Sequence, residues 1–481
     1  TGSLVSLYDF ENREKLFPAV DSRIKFCLLT MRGLGLRAKA DKSIADFLFF
    51  ALSVADLSDS ERHFQLSRED IALINPNTRT CPIFRSRKDA ELTKYVYSRV
   101  PVLIKENDPV NGNPWGIKFS TMFHMANDSH LFKTRQDLEA LGYDLQGNHF
   151  LKGTERYLPL YEAKMIHHYN HRFGDYSDLP EGSDSTQLPD IPLSRLQNPN
   201  YEPIPRYWVY ESLVSKATTT KTKYWFGFRN ITNMTNERTL LSTVVPYSAV
   251  GHNFQLWFTD KSVLDNCFLL ACLASFSCDL VTRFKLGGTN LSYFIAKQLA
   301  VLPPSFIAHP ACLLLGKYLT ASVLELCYTS YSIKPFALDC GYDGPPFIWD
   351  EERRFEIRCE LDALYFHLYL GTQTDWQTQG SKELLSYFPT PRYAVEYIMD
   401  TFPIVKRKDE KEYGKYRTKI RILEIYDQMT QCLATNTEYR STLNPPPGPP
   451  CDADGNFIPV EKWDKNNWPN HKHPDKVDHK I

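Results

Sequence analysis

Two short β-rich runs, Leu4–Phe10 (Leu-Val-Ser-Leu-Tyr-Asp-Phe) and Ile24–Met31 (Ile-Lys-Phe-Cys-Leu-Leu-Thr-Met), constrain this chain before anything else does. A polar loop with Pro18 and Asp21 separates them, so the pattern predicts a long hairpin. Two strands cannot bury a core by themselves, so the hairpin must complete a sheet built elsewhere. The chain also begins Thr-Gly-Ser without Met. Together these points give the expectation of a longer protein whose N-terminal part precedes this sequence.

Beyond the hairpin the periodicity changes. Lys42–Leu57 and Lys88–Ser98 carry apolar residues at three- and four-residue steps and predict helices. Ser67 followed by Asp70 is a helix cap that opens Ser67–Leu73, and Pro76 closes that segment. Thr134–Leu141 reads as a short capped helix, and Trp115–Phe123 and Tyr157–Tyr161 read as extended. Asp175–Pro205 is rich in Asp, Ser, Pro and Asn and predicts a linker. Strands are expected at Tyr207–Tyr210, Tyr224–Phe228 and Leu240–Pro246, and helices at Val263–Phe276 and Ser292–Leu299. From Glu351 the pattern is helical, over Arg353–Leu370, Ala394–Thr401 and Tyr416–Leu433. Asn444–Ile481 reads as an irregular or disordered tail.

Composition narrows the class. With 481 residues, 42% hydrophobic and 23% charged, the chain fits two to four globular domains. The net charge of −1 gives no sign of a polyanion partner, so any nucleic-acid surface must be a local basic patch. The 27 Tyr and 29 Phe suit base stacking, but cores are their commoner destination. Eleven scattered cysteines without paired short spacing argue against zinc or a disulfide framework, and a cytoplasmic location is expected. No apolar run reaches the roughly 18–20 residues that span a bilayer, so no membrane partner is expected.

The segment Gly227-Phe228-Arg229-Asn230-Ile231-Thr232-Asn233-Met234-Thr235-Asn236-Glu237-Arg238-Thr239 carries the functional signal, with Gly287-Gly288-Thr289-Asn290-Leu291-Ser292-Tyr293 downstream. Arg, Asn and Thr at this density inside an aromatic region suit contact with bases and phosphates. Arg229, Asn230, Asn236 and Arg238 are candidates for base or backbone contact, and Thr232 and Thr239 for phosphate. The competing reading has Asn230–Asn233 capping turns and Arg238 paired with an acidic neighbour. Lys285, Thr289, Asn290 and Tyr293 form a second candidate group, where Gly287-Gly288 admits close backbone approach and the next helix can offer its N-terminus. A purely structural role there stays open. Arg79, Arg85 and Arg87 are weaker phosphate candidates, and Lys406-Arg407-Lys408 before Asp409-Glu410 reads as a solvated loop. His167, His168 and His171 form the one histidine cluster, read as surface, core or DNA-backbone residues.

These segments resemble the large single-chain bacterial DNA adenine methyltransferases of restriction–modification and phage-defence systems (type II subtype G-like). Leu7–Arg13, Leu16-Phe17-Pro18 and Ser22–Leu29 resemble the last strands of the methyltransferase domain. Ile74–Arg85, Asp89–Lys94, Trp115–Leu131 and Tyr157–His168 resemble the connecting region. Glu360–Leu364, Asp400–Ile404 and Tyr413–Lys419 resemble the C-terminal helical part.

The resemblance implies a mixed α/β (α+β) fold. Residues 1–35 would be a hairpin remnant of a Rossmann-like methyltransferase sheet, 36–105 a helical connector and 106–200 a mixed α/β connector and linker. Residues 201–305 would form a β-rich target-recognition domain, 306–435 a helical domain and 436–481 the tail. It also places Phe17 on the loop near the target base, with hairpin packing as the alternative role.

The catalytic chemistry of that family is missing from the chain. Its members hold S-adenosylmethionine on a Gly-rich loop and use Asn-Pro-Pro-aromatic or Asp-Pro-Pro-aromatic against a flipped adenine. Gly344-Pro345-Pro346-Phe347 lacks the side-chain acceptor, Asn444-Pro445-Pro446-Pro447 lacks the aromatic, and Gly33-Leu34-Gly35 is a fragment after the wrong strand. Glu162-Ala163-Lys164 after Asp144 matches a nuclease signature only superficially. No residue of this chain is expected to be catalytic or to bind metal, and the S-adenosylmethionine site is expected outside it.

The expected function is DNA target recognition within a site-specific adenine methyltransferase. The partners are then double-stranded DNA and an N-terminal catalytic domain. A stand-alone specificity module docking on a separate catalytic subunit is the alternative, and a non-DNA interaction protein is a third.

Overall fold

The computed structural model describes residues 3–33, 44–180, 187–218, 220–452, 456–464, 466 and 472. Its first four strands are β1 (Leu4–Glu11), β2 (Lys25–Met31), β3 (Ala45–Ala51) and β4 (Phe64–Leu66). After them come β5 (Lys118–Ser120), β6 (Asp144–Gln146), β7 (His149–Lys152), β8 (Glu155–Tyr161) and β9 (Trp208–Tyr210). The last are β10 (Tyr224–Arg229), β11 (Ser242–Pro246), β12 (Ala249–Val250) and β13 (Phe254–Phe258). Helices fill the intervals and the C-terminal third, so the fold is mixed α/β.

The predicted hairpin forms, with Leu7 opposite Leu29 and Phe10 opposite Phe26. Its sheet, ordered β2-β1-β3-β4, includes two further strands of this chain. The expectation of a sheet built wholly elsewhere is thereby corrected, and so is the helix expected over Lys42–Leu57. Residues 42 and 43 lie outside the described set, Ala45–Ala51 is β3, and Val54–Ser58 is a 3-10 turn.

The reason is two-sided burial. Phe47 and Phe49 pack on Phe64 at ring separations of 5.6 and 5.9 Å. Leu48 and Ala51 face Phe10 on the other side. A strand buried on both faces reads as a continuous apolar run, which spacing alone cannot tell from a helix.

The second sheet is ordered β11-β10-β13-β5, and the third is β12-β8-β7-β6 with β9 on β8. Gly227 in β10 is required by packing, because a Cβ there would sit 2.5 Å from the Phe254 ring. Local caps set the helices as the sequence predicts. Ser67, Thr134 and Ser262 each accept the backbone N–H three residues on, within reciprocal capping boxes. The segment Ser292–Leu299 departs from expectation and makes only one helical turn, Tyr293–Ala296.

The described part of Asp175–Pro205 is fastened to the body, contrary to a linker. The buried Arg172 donates to the carbonyls of Leu196, Asn198 and Tyr201. Part of the expected tail is also held, since Arg353 donates to the carbonyls of Pro445 and Pro446. Residues 473–481 of that tail, with Leu34 and Gly35 of the Gly-Leu-Gly fragment, lie outside the described residues.

One apolar core runs from Phe47 through the Val263–Ala274 helix to the Glu351–Leu370 helix and on to Trp463. It is continuous across the boundary expected between residues 305 and 306. The Glu351–Leu370 helix is buried throughout from Cys359 to Leu370. At roughly 1.5–3 kcal/mol per fully buried large apolar side chain, this helix is a main anchor of the fold. Among the described residues, no single helix is long and apolar enough to cross a membrane.

Candidate nucleic-acid interface

The polar segment marked by the sequence is the connection from β10 to β11, residues 230–241. Its neck is closed by Thr232, whose hydroxyl donates to the Thr239 carbonyl at 2.6 Å. Asn233 caps the turn at its tip by accepting from the N–H and hydroxyl of Thr235. From beneath, the buried Asp279 accepts the N–H groups of Thr239 and Leu240 at 3.0–3.2 Å. Arg283 donates to the carbonyls of Asn236 and Glu237.

The second marked segment lies directly against the first. Thr232 N–H donates to the Thr289 carbonyl, Leu291 N–H donates to the Asn230 carbonyl, and Ile231 bridges Asn290. Two stretches some 60 residues apart in sequence therefore form one rim. The connector loop joins it: Ile83 N–H donates to the Phe284 carbonyl, and Thr78 bonds Gln298. Arg85 lies 4.3 Å over the Phe50 ring and within 3.9 Å of Met234 Sδ. Lys25 of β2 sits over the same ring at 5.0 Å. Phe50 has φ of 60°, a strained value for a non-glycine residue. A cleft of about 560 Å³ opens between Phe50, Arg85, Met234 and Tyr397.

Burial sorts the expected contacts. Asn236, Thr289 and Asn290 are exposed, and so are Thr235, Arg79 and Arg85. Arg229, Asn230 and Tyr293 are half-buried. Arg229 Nε, Asn230 Oδ1 and the Tyr293 hydroxyl are buried without a hydrogen-bond partner among the described residues. Burial also lowers the Arg229 guanidinium from its ordinary value.

Four of the expected contact residues are buried or engaged within the fold. Arg238 is buried, ion-paired to Asp362 at 3.1 Å and stacked 3.3 Å over the Phe276 ring. Thr239 is fully buried and Thr232 is spent on the loop neck. Lys285 donates to the Ile74 carbonyl at 2.6 Å and to Asn75 Oδ1, and burial pulls its ammonium well below its ordinary value. Arg238, Thr232 and Lys285 thus spend their polar groups inside the fold, and Thr239 is sealed from solvent. The acidic-partner reading holds for Arg238 and the turn-capping reading for Asn233.

The helix after Gly287-Gly288 is a single turn and too short to offer a phosphate site at its N-terminus. Gly288 borders open space. Arg87 is half-buried, with Nε donating to the His63 carbonyl. Lys406–Lys408 belongs to the Pro403–Tyr413 helix and not to a loop, and Lys408 pairs with Glu237 of the rim.

Phe17 is presented at the tip of the hairpin loop, 51% exposed, with its ring edge-on to Phe26 at 4.9 Å. Asn12 organises that loop by bonding both the N–H and the carbonyl of Phe17 and the carbonyl of Val20.

The histidine cluster divides. His168 Nε2 bonds the Ala274 carbonyl at 2.7 Å, and His171 bonds Ser330 at 3.1 Å, both buried. His167 is half-buried and stacks on Phe173, and burial lowers its imidazole to about 4. Glu162 of the Glu-Ala-Lys triplet is engaged by the Tyr176 hydroxyl at 2.6 Å. Among the described residues, no group of three or more His, Cys, Asp or Glu side chains could hold a metal. Phe347 of the Gly-Pro-Pro-Phe decoy is a core side chain.

Sequence reasoning missed Asp279, Arg283, Asp362 and Phe50, which shape the rim from below and beside it. Only the Arg354, Arg358, Asp362 spacing of four residues left a trace, as one stripe of a helix. No protein-family model matches this chain, and no curated protein matches it significantly.

Proposed function

We propose that the chain is the DNA target-recognition and binding portion of a site-specific DNA adenine methyltransferase. The catalytic part of that system transfers a methyl group from S-adenosylmethionine and belongs to a restriction–modification or phage-defence system. The observation that carries the DNA-binding half of this reading is the rim. Two Asn/Thr-rich segments read separately from the sequence are hydrogen-bonded into one exposed edge, flanked by Arg79 and Arg85. Amide and hydroxyl groups of this kind read base edges and phosphates, and flanking arginines supply the electrostatic part.

The methyltransferase half rests on the resemblance, and the hairpin supports it. β2 is the outer strand of its sheet. Leu28, Leu29 and Met31 on it are 50%, 56% and 56% exposed. Apolar side chains on an open strand edge call for a covering partner, and a catalytic domain fits that need. The same edge serves the second reading, a specificity module that docks on a separate catalytic subunit.

Selection from a random duplex pool at two salt concentrations tests the proposal. Enrichment of one motif, lost in an Asn236→Ala/Asn290→Ala double variant, is the expected result. Absence of any binding at low salt overturns it.

A further inference from the structure

On one flank of the rim, two guanidinium groups have no hydrogen-bond or ion-pair partner among the described residues. On the Glu351–Leu370 helix, Arg354, Arg358 and Asp362 share one face at four-residue spacing. Arg354 donates to the Tyr169 carbonyl at 3.3 Å, and Asp362 accepts from Arg238 at 3.1 Å. Arg358 lies between them and therefore faces the strip between the 167–170 turn and the base of the recognition loop. It is half-buried, and no described residue hydrogen-bonds or ion-pairs with it.

Arg229 reaches the same strip from the other side. Its N–H donates to the Leu241 carbonyl, and the adjacent Ser242 carbonyl accepts from Tyr169 N–H. The Arg229 side chain also makes no hydrogen bond within the described residues, and its Nε is buried. His167 borders the strip. Arg229, Arg358, Lys408 and Glu237 are all close enough to act electrostatically on its ring. Lys408 and Glu237 pair with each other, and Asp362, which acts electrostatically on Arg358, spends its hydrogen bonds on Arg238 and Phe276 N–H.

We propose that Arg229, Arg358 and His167 form an anion site that clamps one backbone phosphate of the bound duplex. Guanidinium groups make charge-assisted, often bidentate hydrogen bonds to phosphate. A half-buried pair to which no described carboxylate is hydrogen-bonded or ion-paired is set up to accept an oxyanion. The site carries no sequence information. It fixes the register of the duplex while Asn236, Thr289 and Asn290 face the bases. This assignment rests on the DNA-binding reading above.

The test compares the wild-type chain with Arg358→Gln, Arg229→Gln and Arg135→Gln, using one duplex over a salt series. Arg135 is an exposed cation on the Arg135–Ala140 helix and controls for net charge. The expected result is a slope of log affinity against log salt reduced by about 0.9 in either Arg358→Gln or Arg229→Gln. Affinity falls several-fold in both, motif preference is unchanged, and Arg135→Gln matches wild type. Wild-type binding with the Arg358→Gln and Arg229→Gln slopes unchanged overturns the site and leaves the DNA-binding reading standing. Equal losses in Arg135→Gln and Arg358→Gln also overturn it. No wild-type binding at low salt overturns both.

Discussion

Two loops project from sheets in this protein, and they are built in opposite ways. The hairpin loop between β1 and β2 is held from within, by Asn12 bonding Phe17 and Val20 only five and eight residues on. The loop between β10 and β11 is held from below. Asp279 grips it from 40 residues away and Asp362 from 124. The first needs only its own sequence to form. The second takes its shape from the helical core, so the core dictates which of its polar groups face outward. That is why Arg238 is sealed while Asn236, two residues earlier, is open.

Removing the long-range clamp has the largest expected effect. Asp362→Ala strips the buried Arg238 of its carboxylate and Phe276 N–H of its acceptor. Breaking a buried pair on one side costs about 3–5 kcal/mol. Urea denaturation checks this, and a loss under 1 kcal/mol contradicts the buried-pair account.

A pH series sharpens the same contrast. Burial holds His168, in the body that carries the β10–β11 loop, well below its ordinary value, while the hairpin from Leu4 to Met31 has no histidine. A depressed imidazole binds its proton better in the unfolded chain. The His168 contribution is therefore complete above pH about 6.5 and is lost as pH falls below it, by up to about 1.4 kcal/mol per pH unit. Wild type should then lose stability faster than His168→Gln between pH 6.5 and 5, measured by thermal melts. Parallel curves contradict this.

Smaller effects belong to the hairpin. Asn12→Ala removes bonds from a fully buried amide and should cost about 1–3 kcal/mol. Its hydrogen-exchange signature should be confined to residues 12–24, and loosening of residues 230–241 would contradict local construction. Phe17→Ala should change stability least, within about 0.5 kcal/mol, because the ring is 51% exposed. Calorimetry settles that value.

This contrast also explains what the sequence discloses. The hairpin, the Ser67 and Thr134 caps and the strands at 224–229 and 242–246 are legible because their causes lie within a few residues. β3 is not, because Phe47-Leu48-Phe49-Phe50 is apolar on both faces and fits either period. Within the rim, residue type flagged Asn236, Thr289 and Asn290 together with Arg238, Thr239 and Lys285. Only the partners Asp362, Asp279 and Asn75 separate the two groups, and nothing near them in sequence points to those partners.

The most direct test of the rim as a DNA-binding surface is hydrogen exchange of the whole chain with and without a saturating duplex. Protection is expected to concentrate in residues 230–237, 287–294 and 79–85, with the hairpin strands β1 and β2 unchanged. Protection elsewhere with the rim unaffected, or no protection at low salt, contradicts it.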